Sequence, residues 1–301
     1  MSEGFINVLK PPGMTSHDVV AWVRRLLGVR RVGHAGTLDP PAAGVLVVAL
    51  GRATRLVGFL PGVKTYRGEI TFGVGTTTLD GEGEVVRRAP CRVSQADLER
   101  VLPKFLGDIE QVPPMVSAVH FRGRRLYELA RAGLNVERPP RRVHIARLKI
   151  LGFNPHPEHP RALIECECSP GTYIRTLAAD IGRALGTEAY LSFLLRTASG
   201  PFDIGSSLTL EELEEAVRFG DSQKWLSPPE AGVGHLPALV LDRKGSRLFR
   251  HGNTVEVAGG MEPAPDPQYV LVRDDSLAFL GVGHLSRRGN DWILQPDVVF
   301  S

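Results

Sequence analysis

The tightest constraint on this chain is the stretch Gly33-His34-Ala35-Gly36-Thr37-Leu38-Asp39-Pro40-Pro41-Ala42-Ala43-Gly44-Val45-Leu46. It sets one carboxylate, Asp39, in a glycine-bounded turn just before an apolar run over 45–50. A short unbroken run of that kind reads as a buried strand. Pro40 turns Asp39 away from helical backbone. Gly33, Gly36 and Gly44 let the chain bend sharply or approach another segment. Two readings follow: a carboxylate facing a cleft, or an Asp-Pro turn with a solvated acid.

The 301 residues are 43% hydrophobic and 23% charged, ordinary for a globular chain of about two domains. A net charge of +3 says little about partners, but six lysines stand against thirty arginines. Arginine presents a planar fork suited to phosphate, and it stacks on bases. Three cysteines, Cys91, Cys166 and Cys168, cannot all pair, and no second cysteine pair or His-x-x-x-His spacing completes a metal site. They read as buried free thiols in a reducing compartment. Residues 1–10 show no signal-peptide apolar region, and no segment approaches the roughly 20 apolar residues that span a bilayer. The expectation is a soluble cytoplasmic protein.

In chain order, 5–9 reads as a strand. A helix capped by Ser16 follows, with Val19, Trp22, Val23 and Leu26 at helical spacing and Gly28 ending it. Arg24, Arg25, Arg30 and Arg31 near its end suit either a helix C-terminus or a phosphate. Residues 52–60 form a short helix. Over 64–73 the alternation is that of a strand, with Tyr66, Ile70 and Phe72 on one face. Taken alone, Tyr66 is a core tyrosine whose hydroxyl finds a partner. The segment 76–83 lacks EF-hand spacing and reads as a hairpin turn. Ser94 opens a helix through a capping box. The most basic and least regular part is 107–142, where Arg122, Arg124, Arg125, Arg131, Arg138, Arg141 and Arg142 surround Tyr127. That composition suits an RNA backbone or a charged loop and helix. Strands at 143–153 and 161–168 lead into Ser169-Pro170-Gly171-Thr172-Tyr173-Ile174-Arg175 and a helix to about 185. A cation in a first helical turn is mildly unfavourable, so Arg175 calls for a carboxylate partner. An acidic helix spans 207–219. From 235 onward short strands at 254–257, 269–272, 277–283 and 292–294 form a small all-β unit.

The Asp39 stretch resembles, at every fixed position, the catalytic motif G-H-x-G-x-L-D-P-x-A-x-G-x-L of bacterial tRNA pseudouridine-55 synthases, the TruB-type family. Further segments are similar to family motifs in the same order: K-P-x-G-x-[ST]-S at 10–16, K-x-Y at 64–66, S-x-G-T-Y-I-R at 169–175 and L-x-R-T-x-x-G-P-F at 194–202. The resemblance implies an α+β fold: a pseudouridine synthase domain with a large mixed β-sheet over 1–230, and a PUA-like RNA-binding domain over 235–301. The likeness to that second domain is carried by Phe279-Leu280-Gly281-Val282-Gly283 and Gln295-Pro296. It implies conversion of uridine to pseudouridine in the T-loop of tRNA, without cofactor or metal, by a stand-alone monomer that also reaches the acceptor stem.

By the same resemblance Asp39, Tyr66 and Arg175 are catalytic, and His34, Tyr173, Leu195 and Lys10 bind substrate. Arg122, Arg124, Arg125, Arg131, Arg141 and Arg142 contact RNA. Arg175 is expected to hold Asp39 ionised, since a nearby cation lowers a carboxylate pKa. Tyr66 is expected at the cleft edge, stacking on the extruded base and a candidate for removing the C5 proton. Two other classes compete. A tRNA-binding chaperone would need none of the three catalytic residues, and a hydrolase with a carboxylate nucleophile would need a second acid. No second acid stands in a matching turn of the sequence.

Overall fold

The computed structural model describes residues 3–117, 120–121, 123–126, 129, 133–134, 136–257, 268–289 and 291–300. The chain begins with β1 (Gly4–Lys10), α1 (Ser16–Leu27), β2 (Val32–His34) and β3 (Ala43–Leu50). α1 is capped by Thr15 rather than Ser16. Thr15 Oγ1 accepts from Asp18 N at 3.0 Å, and the Asp18 carboxylate accepts from Thr15 N at 2.8 Å. Gly28 ends the helix at φ +64°, a conformation that favours glycine. The predicted helix after β3 is a 3-10 helix, Gly51–Phe59.

β4 (Lys64–Phe72) leads into the hairpin β5 (Val74–Thr76) and β6 (Val85–Arg88), then α2 (Gln95–Val101) and β7 (Gly107–Gln111). The short strands β8 (His120–Phe121) and β9 (Arg124–Arg125) pair with each other. β10 (Arg141–Asn154), β11 (Arg161–Cys168), α3 (Ile174–Ala184), β12 (Ala189–Ser199), β13 (Phe202–Asp203) and α4 (Leu210–Arg218) follow. The basic segment is therefore shorter than 107–142, because its first five residues are a strand of the main sheet.

That sheet has nine strands in the order β1-β3-β12-β4-β11-β10-β7, with β2 on β3 and β13 on β12. β12 runs parallel to β3 and antiparallel to β4, which makes the sheet mixed. On one face, Ile174, Leu177, Ala178 and Ile181 of α3, at the i, i+3, i+4, i+7 spacing of a helical stripe, cover Ile70, Phe72, Ile164, Cys166 and Cys168. All three cysteines are free and buried. β3 is apolar throughout because both its faces are covered. Leu46, Val48 and Leu50 meet Val19 and Val23 of α1, whereas Val45, Val47 and Ala49 meet the C-terminal sheet.

The C-terminal part holds β14 (Ala238–Val240), α5 (Arg243–Arg250), β15 (Val255–Val257), β16 (Gln268–Arg273), β17 (Phe279–Arg288) and β18 (Asp291–Val299). The five strands form one sheet, ordered β14-β16-β17-β18-β15. β14 and α5 have no counterpart in the sequence reading. This unit shares a core with the first sheet: Phe5, Val45 and Val47 pack in one cluster with Leu271, Val282, Val298 and Phe300. Arg273 pairs with Glu230 at 3.1 Å, and Arg55 donates to the Asp297 carbonyl at 2.8 Å.

Candidate active site

The turn bearing Asp39 is held from beneath by two buried cations and a hydroxyl. Lys10 has no exposed surface. Its Nζ donates to the carbonyls of Ala42 at 2.6 Å, Pro11 at 2.8 Å and Pro40 at 3.2 Å. Arg196, also without exposed surface, donates to Val45 O at 2.7 Å, Gly36 O at 3.1 Å and Thr37 O at 3.3 Å. Ser16 Oγ accepts from Leu38 N at 2.8 Å. Leu38 and Ala42, on either side of Asp39, are buried in the main core. Gly44 sits where β3 meets β12: its φ is +118°, and a Cβ there would lie 2.2 Å from Arg196 O. Only glycine fits that approach.

Lys10 was expected to bind substrate. All three of its protons are occupied by backbone carbonyls, so it braces the turn instead. Burial pulls its pKa down to about 8, with Asp39 opposing and Arg196 assisting.

Asp39 opens onto a cleft of about 250 Å³ with Pro41, Asp80, Glu82, Arg175 and Leu194 in its walls. Arg175, at the start of α3, is 4% exposed. Its Nη2 lies 2.9 Å from Asp39 Oδ2 and donates to Val116 O at 2.9 Å. Its Nη1 lies 3.3 Å from Asp80 Oδ2 and donates to Thr78 O at 3.1 Å. The carboxylate partner expected for Arg175 is present, and a second acid shares it. Asp80 is fixed in turn by the Thr78 hydroxyl and by Glu82 N at 3.1 Å.

The expectation that Arg175 keeps the Asp39 pKa low is corrected. Burial is the largest influence and raises it; Arg175 lowers it and the Asp80 charge raises it again, leaving the carboxyl above its usual range. One guanidinium divided between two carboxylates does not offset the desolvation of Asp39.

Tyr66 is 8% exposed and packs in the core cluster with Leu38 and Ala42, not at the cleft edge. Burial raises the pKa of its phenol, and the nearby Arg196 charge acts against this. Leu195 does not line the cleft; Leu194 does. Leu194 and Arg196 share one face of β12, and Leu195 takes the other. In L-x-R-T the leading leucine is Leu194, so the one-residue slip was present in the reading of the motif.

His34 ends β2, half-buried, with Nδ1 enclosed and unpartnered. Burial, then Arg196 and His17, lower its pKa, so the ring is neutral at pH 7. Tyr173 caps α3, and its backbone is bracketed by the Gln111 side chain at 3.0 and 3.3 Å. Arg141 and Arg142 are exposed on β10 against the edge strand β7, and Arg142 pairs with Asp108 at 2.8 Å. The chains of Arg122 and Arg131 lie outside the described residues, as do the side chains of Arg124 and Arg125. A larger hollow of about 370 Å³ between α2 and the end of α3 contains none of the motif groups. Among the described residues no cluster of three or more His, Cys, Asp or Glu side chains could hold a metal, and no helix is long and apolar enough to cross a membrane.

Comparison with known proteins agrees with this layout. Residues 24–174 match the model of the TruB family pseudouridylate synthase N-terminal domain, and 175–233 match the tRNA pseudouridylate synthase B C-terminal domain. The boundary falls inside the site, between the segment of Asp39 and that of Arg175. A tRNA pseudouridine synthase B of Symbiobacterium thermophilum is 54% identical over 83% of this chain and 82% of its own. That of Geobacillus thermodenitrificans is 42% identical over 99% of each. Among solved structures, a chain of an H/ACA ribonucleoprotein bound to a substrate RNA containing 2′-deoxyuridine superposes with TM-score 0.75 at 28% identity, covering 99% of this chain and 85% of that one. An archaeal box H/ACA complex gives TM-score 0.74 at 28% identity, over 99% of this chain and 86% of its own. With matching motifs, a shared fold and relatives of this identity over nearly its whole length, the chain belongs to the TruB family of pseudouridylate synthases.

Proposed function

We propose that this protein isomerises uridine to pseudouridine in tRNA, at position 55 of the T-loop, acting as a cytoplasmic stand-alone monomer. The observation that carries the reading is the Asp39 carboxylate, open to a cleft and paired at 2.9 Å with an otherwise buried Arg175. Relatives named tRNA pseudouridine synthase B support the substrate.

The reaction breaks the C1′–N1 bond, turns the uracil and forms C1′–C5. N1 gains a proton as C5 loses one, so atoms balance and no electrons are transferred. The uridine first leaves its stack, at a cost of a few kcal/mol. Asp39 then engages the ribose or base directly, at a carboxylate that Lys10, Arg196 and Ser16 have already positioned. Such preorganisation removes the entropy of finding the reactive geometry. Arg175 holds one carboxylate oxygen and leaves the other to the substrate. Tyr66, enclosed and with a raised pKa, packs beneath the reacting group and is a poor proton acceptor at neutral pH. His34, neutral and half-buried, is suited to wedging open the loop. Tyr173 and the arginines of 122–142 belong to the RNA contact. The sheet over 235–301 with its basic helix α5 acts as the PUA-like unit that reaches the acceptor stem.

Tritium release from unmodified tRNA transcript labelled at uridine C5 tests this. About one tritium per tRNA from the T-loop uridine, abolished in Asp39→Asn, is expected. Tight tRNA binding without release would instead establish a non-catalytic RNA-binding protein.

A further inference from the structure

The start of α3, which carries Arg175, is anchored from outside the helix. Tyr173 is its N-cap, and unlike the short polar residues that usually hold that place it supplies no side-chain hydrogen bond. Gln111, the last residue of β7, supplies the anchor instead and is 2% exposed. Its Oε1 accepts from Tyr173 N at 3.0 Å, and its Nε2 donates to Tyr173 O at 3.3 Å. One buried amide thus takes both polar groups of a single residue's backbone, as a neighbouring strand would. Tyr173 O also accepts from Leu177 N within the helix at 3.0 Å, whereas Tyr173 N is served by Gln111.

Two more bonds join the same segments. Thr176 Oγ1 donates to Val112 O at 3.4 Å, and Arg175 Nη2 donates to Val116 O at 2.9 Å. Residues 111–116, which lead from β7 into the basic segment, therefore hold Tyr173, Arg175 and Thr176. The Arg175 side chain is 5% exposed, so it has little room to make good a displaced backbone. Its 2.9 Å contact with Asp39 is then set by where α3 begins. A shift of about 1 Å in such a contact can slow a reaction about a hundredfold. Of the three tethers, Gln111 is the one made by a side chain of the strand, so a substitution can remove it without touching α3.

We propose that Gln111 is a positioning residue for the reaction: through the backbone of Tyr173 it sets Arg175 against Asp39. This rests on the reading that the protein isomerises a uridine in RNA.

The test uses T-arm stem–loop transcripts labelled with tritium at uridine C5, with wild type, Gln111→Met and Gln111→Asn. Methionine matches the length without the amide; asparagine keeps the amide one carbon short and carries the test if Gln111→Met fails to fold. Dissociation constants and saturated single-turnover rates are measured over about pH 5 to 9, and Asp39 is titrated by NMR of its labelled carboxyl carbon. Beyond its burial, that carboxyl faces Arg175 and Lys10, which lower its pKa, and Asp80, which raises it. A displaced Arg175 lowers it less. Both variants are expected to react about ten- to hundredfold more slowly at pH 7, with RNA affinity unchanged. The deficit should narrow as pH rises, because the Asp39 titration moves to higher pH and the working form is the carboxylate. A deficit equal at every pH, with the Asp39 titration unmoved, would mark a merely structural role and overturns the proposal. An unchanged rate overturns it too, as does weaker RNA binding at an unchanged rate, which would assign Gln111 to the RNA contact of Tyr173. If the wild type releases no tritium but the Asp39 titration still moves in the variants, the positioning stands and the isomerase reading falls.

Discussion

At the scale of single residues, the site is a charge-sharing problem. Burial raises the Asp39 pKa, and Arg175, which answers two carboxylates while nearly cut off from water, lowers it without cancelling that rise. A raised carboxyl pKa means the folded protein binds that proton more tightly than the unfolded chain does. The group therefore favours folding at acid pH and loses that advantage as pH rises through its raised pKa. Asp39→Asn should melt at or slightly above the wild-type temperature at pH 7. The gain is on the order of 1 kcal/mol or less, because the side chain is 38% exposed and screened by water. It should vanish as pH falls and the wild-type group becomes protonated; thermal melts from pH 4 to 8 measure this. Arg175→Met strands two carboxylates and should cost about 3–5 kcal/mol. If Asp39→Asn proves the more damaging of the two, the balance described here is wrong. The Asp39–Arg175 pair was legible in the sequence because each lies in a dense motif and a cation at a helix start asks for an anion. The pairing of Asp80 with Arg175 was not: the segment 76–83 is similar to a family T-x-T-x-D-x-x-G stretch and read as a hairpin turn, but Asp80 stands 41 positions from Asp39 and only the β5–β6 hairpin brings it under Arg175.

At the scale of elements, β12 does the positioning. It lies between β3 and β4, contributes Arg196 to the Asp39 turn and presents Leu194 to the cleft. The L-x-R-T-x-x-G-P-F motif marked this stretch without assigning it as a strand, and a bulge between Leu191↔Ile70 and Phe193↔Glu69 flips the faces that plain alternation would assign, with no local composition marking Ser192 as the extra residue. α5 was missed for a related reason: its sequence is mostly charged, with Leu248 and Phe249 as its only large apolar residues, so it lacks a periodic stripe. The close contact of β3 with β12 at Gly44 supplies a sharp test. In Gly44→Ala the methyl would meet Arg196 backbone at 2.2 Å with φ at +118°. A loss above about 2 kcal/mol is expected in denaturant unfolding, with turnover falling alongside. A variant of wild-type stability would mean that the strands separate easily.

At the scale of the whole molecule, the two sheets are not independent. Chain length and the change to short strands from 235 onward suggested separable units, yet Phe5, Val45 and Val47 are covered by Leu271, Val298 and Phe300. Pattern analysis cannot see this, because the apolar faces on both sides look like ordinary strand interiors. Removing 235–301 should therefore expose part of the catalytic core, not merely weaken RNA binding. The truncated chain is expected to unfold at lower denaturant concentration than the full chain, and the full chain to unfold in a single transition by both fluorescence and circular dichroism. Two well-separated transitions would contradict the shared core. The same packing bears on synthesis. Phe5 and Phe300 belong to one cluster, and Arg52, which grips Glu3 at 2.9 Å, lies over the Phe300 ring. A chain growing from its amino end can pair β1 with β3 early, but that edge keeps an uncovered apolar face until Leu271, Val282, Val298 and Phe300 have been made. The first strand of the molecule thus waits for its cover on segments far downstream.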